Sequence, residues 1–408
     1  MTVDQSRPPL PAGIDTEIVI VGGGLSGTLA ANVLGRAGYQ VTLVDRYPVF
    51  PREFRVEKIA GDQIEKLRRI GLLDRLASAA VAFDEIVNIR RGRLLDRTHA
   101  RHYGLFYDDL VGAMRAELPE NVRFVAGRVN ALEAGTDRQR VSILGQGDVT
   151  ARLLVLATGM GDILKRDLGI ERRFVHQRQS LTFGFNLRPA GDSPFKHAAL
   201  TYYGERTSDG IDYLNLFPAA DVTRANLFVF RDHRDPWVKA LRERPRETLI
   251  DTLPGLVKAF GDFEVMDKVE SWLTDITVAE NCVKDGVVLI GDAYQTSCPA
   301  AGTGVSRLLT DVERLCKVHV PQWMASPGMA AAKIATFYGD PAKLAMDARG
   351  LHLADFRRSL TIENDLRWRA WRQLHFSRRR IMHGINRLSP RFAARLRGLG
   401  RPRLEAAT

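Results

Sequence analysis

Three glycines and one carboxylate near the N-terminus have the types and spacing for chemistry. Gly22, Gly24 and Gly27 follow a G-x-G-x-x-G pattern directly after a short apolar run, Ile18-Val19-Ile20-Val21. A β-branched run without polar alternation predicts a strand buried on both faces. Gly22 permits the tight turn out of that strand, Gly24 lets the backbone approach a pyrophosphate, and Gly27 allows close packing of the next helix. The helical stretch Thr28 to Gly35, with Leu25 and Ser26 in the turn before it, then aims free N–H groups at the phosphates. A second apolar strand, Gln40 to Val44, closes on Asp45, 18 residues after Gly27. A carboxylate there can hold both hydroxyls of a ribose. Arg46 follows it and joins the candidate cofactor-binding set. This pattern points to a dinucleotide and does not by itself separate FAD from NAD.

A second constellation lies far downstream. The buried strand Val287 to Ile290 ends in Gly291-Asp292, and Pro299-Ala300-Ala301-Gly302-Thr303-Gly304 opens another helix. A carboxylate and a second helix N-terminus are thereby brought near one crevice. Together the two motifs resemble the glutathione-reductase-type FAD fold, and within it the para-hydroxybenzoate-hydroxylase-like, single-component FAD-dependent flavin monooxygenases. The resemblance implies that Asp292 binds the ribitol of FAD. It also implies that Pro299, Gly302, Thr303 and Gly304 sit beside the isoalloxazine, where a helix N-terminus would stabilise the anionic reduced flavin.

Between the motifs, Leu153 to Gly159 is another buried strand ending in glycine, in the place of the family's middle motif. Here Thr158 stands for the usual Asp, Asp162 for a Ser, and Lys165 or Arg166 for an Arg. Gly159 remains a candidate backbone contact, while the change at Thr158 bears on how a nicotinamide would be handled. Val129 is a candidate contact on the adenine side. Tyr107 begins a helix where the family often has an Arg. Arg52 and Arg55 fall where relatives place an arginine near the pyrophosphate or flavin, and the alternative reading of each is a solvated surface charge.

The resemblance covers about residues 15 to 320 and implies a reaction. NAD(P)H reduces the FAD, O2 adds to give a C4a-hydroperoxyflavin, and the distal oxygen passes to a carbon of an aromatic or apolar small molecule of secondary-metabolite type. The chemistry is flavin-centred, so no catalytic side chain is assigned and no metal site is expected. One alternative is a halogenase-like or prenyl/lipid-reductase-like oxidoreductase on the same fold, since Tyr213-Leu214-Asn215-Leu216-Phe217-Pro218 partly echoes a YxWxFP segment. Another is a flavoprotein that holds FAD only as structure.

The elements that must position these residues predict an α/β fold: a Rossmann-like FAD-binding domain, an inserted mostly antiparallel β-sheet substrate domain, and a helical basic C-terminal region. The expected boundaries are a disordered lead-in over 1–14, the FAD-binding domain over 15–175 and 276–320, the substrate sheet over 176–275, and the helical region over 321–408. Val122 to Gly127 and Val141 to Leu144 read as strands of a small meander. From Gln179 to Phe230 the apolar period becomes two, as in Leu181-Thr182-Phe183-Gly184-Phe185-Asn186-Leu187. Phe185, Tyr202, Tyr213, Phe217, Phe228 and Trp272, with Cys298 beside Pro299, are candidates for an apolar substrate wall, and core packing is the better reading for any single one. His176 could bond a substrate hydroxyl.

Composition narrows the class. The chain has 408 residues, 45% hydrophobic and 26% charged, with a formal net charge of +11. From Leu351 to the end there are 14 basic against 4 acidic residues, so the body is nearly neutral and a nucleic-acid partner is not expected. Three scattered cysteines support neither a disulfide framework nor a zinc site, and a reducing cytoplasm is the expected compartment. The polar, Pro-rich first residues lack the apolar segment of a secretory signal. Leu353, Phe356 and Leu360 form a helical stripe, and Trp368 and Trp371 lie among arginines. That region is a candidate for peripheral membrane or subunit contact, with a helical cap packed on the body as the favoured reading.

Overall fold

Apolar β-branched runs become strands where a neighbouring run can pair with them. The computed structural model, which describes residues 13–388, shows which runs do so. Strand β1 (Ile14–Val21) leads through the glycine turn into α1 (Leu25–Arg36), and β2 (Val41–Asp45) and β3 (Val56–Ala60) follow. Next come β4 (Val81–Arg90), β5 (Arg93–Phe106), α2 (Tyr107–Arg115) and β6 (Val122–Ala126). Strands β7 (Val129–Glu133), β8 (Gln139–Ile143) and β9 (Gly147–Leu156) precede the long β10 (Glu171–Pro189). Then come β11 (Leu200–Tyr203), β12 (Ile211–Ala219), β13 (Val222–Val229), β14 (Phe263–Val265), β15 (Glu270–Glu280) and β16 (Val287–Leu289). Three further helices matter below: α3 (Gly304–Arg314), α4 (Pro341–Ile362) and α5 (Leu366–Leu388).

The chain divides into two compact units. The first takes residues up to 82, then 103–180 and 272–355. Its sheet runs β6-β2-β1-β9 in parallel, and β16 also pairs in parallel with β9. The registers Val21↔Val44, Val21↔Leu156 and Leu289↔Leu156 end these strands at one level. Gly22, Asp45, Ala157 and Ile290 therefore leave the sheet along the same carboxyl edge, where open α/β sheets bind ligands. One detail departs from the sequence reading. β6 is not part of a meander but a parallel neighbour of β2, and the antiparallel meander is β7-β8-β9. Alternation defines the two faces of a strand, not its partner.

The second unit takes 83–102, 181–271 and the chain from 356 onward. Its sheet has the order β14-β10-β13-β12-β11-β4-β5. The pairs from β14 to β11 are antiparallel, while β11 meets β4 in parallel. Residues 83–102, which the sequence reading left in the first domain, thus join this sheet, and the helical C-terminal region is divided within α4.

Helices α4 and α5 are tied to the second unit's sheet by arginines. Arg357 forms an ion pair with the buried Asp212, whose carboxylate also accepts from the Thr361 hydroxyl at 3.1 Å. Arg379 donates to both oxygens of Asp96 at 2.6 and 2.9 Å. Arg90 lies 4.2 Å from the Phe376 ring centroid. His375 sits within this cationic cluster. Burial, then Arg379 and Arg357, pushes its imidazole down to about 4. An unfolded chain would take up that proton below its ordinary value near 6.5, whereas the folded chain would not. Stability from this group is therefore complete above pH 6.5 and lost as pH falls from about 6.5 toward about 4. Urea midpoints measured from pH 7.5 to 4.5 should fall less steeply in a His375→Gln variant than in the parent.

Candidate functional site

The glycine turn is shaped by backbone sterics. Gly22 has φ +106°, in the region that side chains resist. A Cβ on Gly27 would overlap the Gly22 carbonyl oxygen and lie 3.2 Å from the Ala157 side chain, so only glycine lets α1 begin this close to β1 and β9. No side chain caps α1, whose N-cap is Gly24, and its first turn holds no acidic residue. Its N–H groups and dipole are left for an anion. The Leu25 N–H does reach the Tyr107 hydroxyl, at 3.3 Å. Tyr107, at the position where an arginine was expected, therefore borders the same turn, 3.6 Å from where a Cβ on Gly24 would stand.

Asp45 is held ready at the end of β2. It accepts the Gly23 N–H at 2.6 Å and the Tyr47 N–H at 2.8 Å. Arg115, at the end of α2, approaches it at 3.4 Å and donates to the Gly23 carbonyl at 2.6 and 3.0 Å and to the Tyr47 carbonyl at 2.8 Å. This clamp escaped the sequence reading, because Arg115 lies one helix length beyond the position searched. Only the helical period of α2, which returns Tyr107, Val111 and Met114 to its buried face, hinted that its end approaches the glycine turn. Removing the clamp costs hydrogen bonds to a charged group, about 1.5–3 kcal/mol. An Arg115→Ala variant should bind FAD roughly 10- to 100-fold more weakly by fluorescence titration while keeping its far-UV dichroism.

The two glycine motifs meet. Gly291 has φ +61°, and a Cβ there would overlap the Ser26 hydroxyl. The Gly291 N–H donates to Asp311 of α3 at 2.9 Å. Asp292 follows with its side chain half-buried. Glu57 on β3 is a carboxylate that the sequence reading missed. It lies two positions from Arg55, on the same strand face, which was the available signal. Burial raises its carboxyl; Arg55 opposes this, and the nearby charge of Asp292 adds to it. Arg55 is engaged with Glu53 at 2.7 Å and stacks 3.8 Å over Tyr107. Arg52 is exposed, 3.2 Å from Asp108, and Arg46 is exposed beside Tyr47.

After β9, Gly159 has φ +60° and the Thr158 hydroxyl oxygen is buried without a hydrogen bond. Lys165 is buried, paired with Asp162 at 2.9 Å, and donates to the Ala293 carbonyl at 3.3 Å, so the middle segment grips the turn that holds Asp292. Val129 opens β7 just beyond the carboxyl edge of β6. Pro299 begins a tight turn, Gly302 has φ +65°, and Thr303 is buried with its hydroxyl oxygen unpaired as Gly304 starts α3, itself uncapped.

Beneath this loop lies a fully buried charge network. Arg307 of α3 donates to Asp347 at 2.9 Å, to the Gln295 carbonyl at 2.6 Å and to Ser297 at 2.9 Å. Lys343 of α4 bridges Asp311 at 2.9 Å and Asp347 at 3.0 Å, with its ammonium 3.9 Å from the Tyr294 ring centroid. Two orphaned hydroxyls, two uncapped helix starts and two glycine cradles along one edge fit a long dinucleotide such as FAD. Among the described residues no cluster of three or more His, Cys, Asp or Glu could hold a metal ion.

The candidates for the substrate wall fall in both units. In the second unit, Phe185 and Phe217 are fully buried, and Phe217 stacks near Phe83. Tyr202 is also buried, its hydroxyl donating to Glu205 at 2.6 Å and accepting the Gly92 N–H at 2.9 Å. Tyr213 is half-buried, 4.7 Å from Phe228 and 4.9 Å from the Arg357 guanidinium. In the first unit, Trp272 is exposed and Cys298 is fully buried with its sulfur 3.5 Å from the Ser180 hydroxyl. His176 faces Asp355 at 2.8 Å.

Comparison with known proteins agrees with this geometry. Squalene monooxygenase of Mus musculus is 26% identical over 325 residues, covering 73% of this chain and 54% of that protein. Aklavinone 12-hydroxylase of Streptomyces peucetius is 24% identical over 350 residues, covering 73% of this chain and 66% of that protein. The chain thus spans about half to two thirds of the length of these curated relatives. The crystal structure of p-nitrophenol 4-monooxygenase from Pseudomonas putida superposes with a TM-score of 0.67 at 18% identity, covering 95% of this chain and 97% of that one. The family model described as an FAD binding domain matches residues 15–318, from the first glycine motif through α3. By that match, over most of its length, the chain belongs to the FAD-binding-domain family.

Proposed function

We propose that this chain is an FAD-dependent monooxygenase that places one oxygen atom of O2 on an aromatic or otherwise apolar small molecule, with NAD(P)H as electron donor. The observation that carries the reading is the meeting of the two glycine motifs, Ser26 against Gly291, on the carboxyl edge that also presents Asp45. Such a cradle suits a dinucleotide whose two ends reach two helix starts. Bound FAD would supply the electron transfer and oxygen activation.

The residues of this chain bind and orient. The start of α1 would receive the pyrophosphate, and Asp45, fixed by Gly23 and Arg115, would receive a ribose. Asp292 would hold the ribitol, and the uncapped start of α3 would offer positive potential to an electron-rich ring edge. Lys165 and Arg307 hold the carbonyls of Ala293 and Gln295, which keeps the loop between Asp292 and Pro299 in one shape. The substrates in the names of the two curated relatives, aklavinone and squalene, support an apolar acceptor.

The test is direct. The purified protein should be yellow and release FAD on denaturation. NADH or NADPH oxidation and O2 uptake should rise together when polycyclic aromatic or polyene substrates are added. Retained FAD that neither nicotinamide reduces would replace the proposed donor with a separate reductase. A colourless protein that added FAD does not rescue would overturn the reading.

A further inference from the structure

We propose that the outward face of α5 docks this protein on an anionic lipid surface. The inference rests on the helix alone and is independent of the FAD chemistry. Helix α5 (Leu366–Leu388) contains seven arginines and no acidic residue. Its inner side is committed. Trp368 packs 5.9 Å from Phe356, Arg372 donates to the carbonyls of Leu360 and Glu363, Phe376 is buried, and Arg379 is paired with Asp96.

The outer side is apolar where a solvated helix would be polar. Leu366 is 82% exposed, Leu374 58%, Ile381 61% and Trp371 48%. With Ala370, the three aliphatic residues recur at steps of four, four and seven, which places them in one stripe. Helical geometry sets Arg367 and Arg378, beside Trp371, along one border of that stripe, and Arg369 and Arg380 along the other. Arg367, Arg378 and Arg380 have no ion-pair partner among the described residues. The helix is thus held from within, with an apolar stripe facing outward between two rows of arginines and Trp371 at its border. Arg369 also donates to Asn364 at 3.0 Å, and the other three are unpaired among the described residues. That is the arrangement of a helix lying in a lipid interface, where apolar residues enter the acyl boundary and arginines meet phosphate headgroups.

Charge selects the occupant. A second copy of this chain would bring the same arginine rows together with no acidic residue between them, whereas anionic headgroups neutralise them. No helix among the described residues is long and apolar enough to cross a membrane, so the contact is one of lying on the surface.

Co-sedimentation of the full chain with vesicles tests this. Binding should be strong to phosphatidylcholine vesicles containing about a third phosphatidylglycerol at about 0.1 M salt, and should collapse at about 1 M. Pure phosphatidylcholine vesicles should bind at least tenfold less. Each arginine removed should weaken binding about fivefold, so Arg367→Gln/Arg378→Gln should lose about 25-fold. Leu374→Asp/Ile381→Asp should abolish binding while leaving thermal melting within a few degrees of the parent, because both positions are exposed. Equal binding to both vesicle types, or full binding by the aspartate variant, would overturn the proposal. So would absent lipid binding with concentration-dependent dimerisation that the aspartate variant removes, which would assign the face to a second copy.

Discussion

Replacing Gly27 with alanine is expected to leave the protein colourless. The added methyl would overlap the Gly22 carbonyl oxygen, a backbone atom that cannot rotate away, and would press on Ala157. Relief requires α1 to move off the sheet, carrying the N–H groups of its first turn away from where the proposed function puts the pyrophosphate. Overpacking of this kind costs about 1–3 kcal/mol or more. Charged to the bound conformation, the upper end of that range is roughly a 100-fold rise in the FAD dissociation constant. The control is the same substitution in α2. Gly112 is exposed, and a Cβ there meets nothing within 4 Å. Gly112→Ala should stabilise the protein by about 1 kcal/mol through helix propensity and leave FAD affinity unchanged. Titration of both apoproteins with FAD, followed by flavin fluorescence, checks the pair. Equal affinities would mean that the turn does not hold the cofactor.

Lys343→Met should produce the largest loss of stability. The ammonium is fully buried between two carboxylates, Asp311 and Asp347. Taking one partner from a buried ion network leaves uncompensated charge and costs about 3–5 kcal/mol. For a chain of this size that is on the order of 10 °C in melting temperature. Asp311 also accepts the Gly291 N–H, so its displacement should loosen the turn before Asp292. The double variant Lys343→Met/Asp311→Asn removes the stranded charge while leaving the Arg307–Asp347 pair intact, and should recover part of the loss. Calorimetry on the single and double variants decides this. A double variant less stable than the single one would show that the network matters through its hydrogen bonds and not its charge balance.

The readable parts of the site were those fixed by local sterics. The glycine turn before α1, Asp45 at the end of β2, and the Gly291-Asp292 turn with the loop starting α3 each require particular residues at fixed spacing along a few tens of positions. Most of the sheet could be read for the same reason, since period two and buried apolar runs are local signals. The unread parts are those in which distant residues choose one another. Lys343 looks like a solvated helix lysine until α3 and α4 bring Asp311, Asp347 and Arg307 around it. Arg115 looks like a helix-ending charge until α2 delivers it to Gly23. Alternation marked Phe185, Tyr202 and Phe217 as inward without saying inward to what, and each is buried in packing. Trp368 and Trp371, only three positions apart, end in opposite environments because α5 shows one face to the sheet and the other to solvent.

The second unit is assembled from three stretches, 83–102, 181–271 and the chain from 356 on, separated by long segments of the first. Its central pair β11–β4 joins residues more than a hundred positions apart. Such a unit cannot finish folding on the ribosome when its first strands emerge. Those strands must wait, unpaired, for partners made much later, and the entropy of closing such loops slows the search. Exposed strand edges in that interval invite aggregation. The yield of this protein should therefore respond more to slower translation, lower temperature and chaperone supply than to any single surface substitution. A fragment beginning after residue 102 should fail to give a soluble second unit.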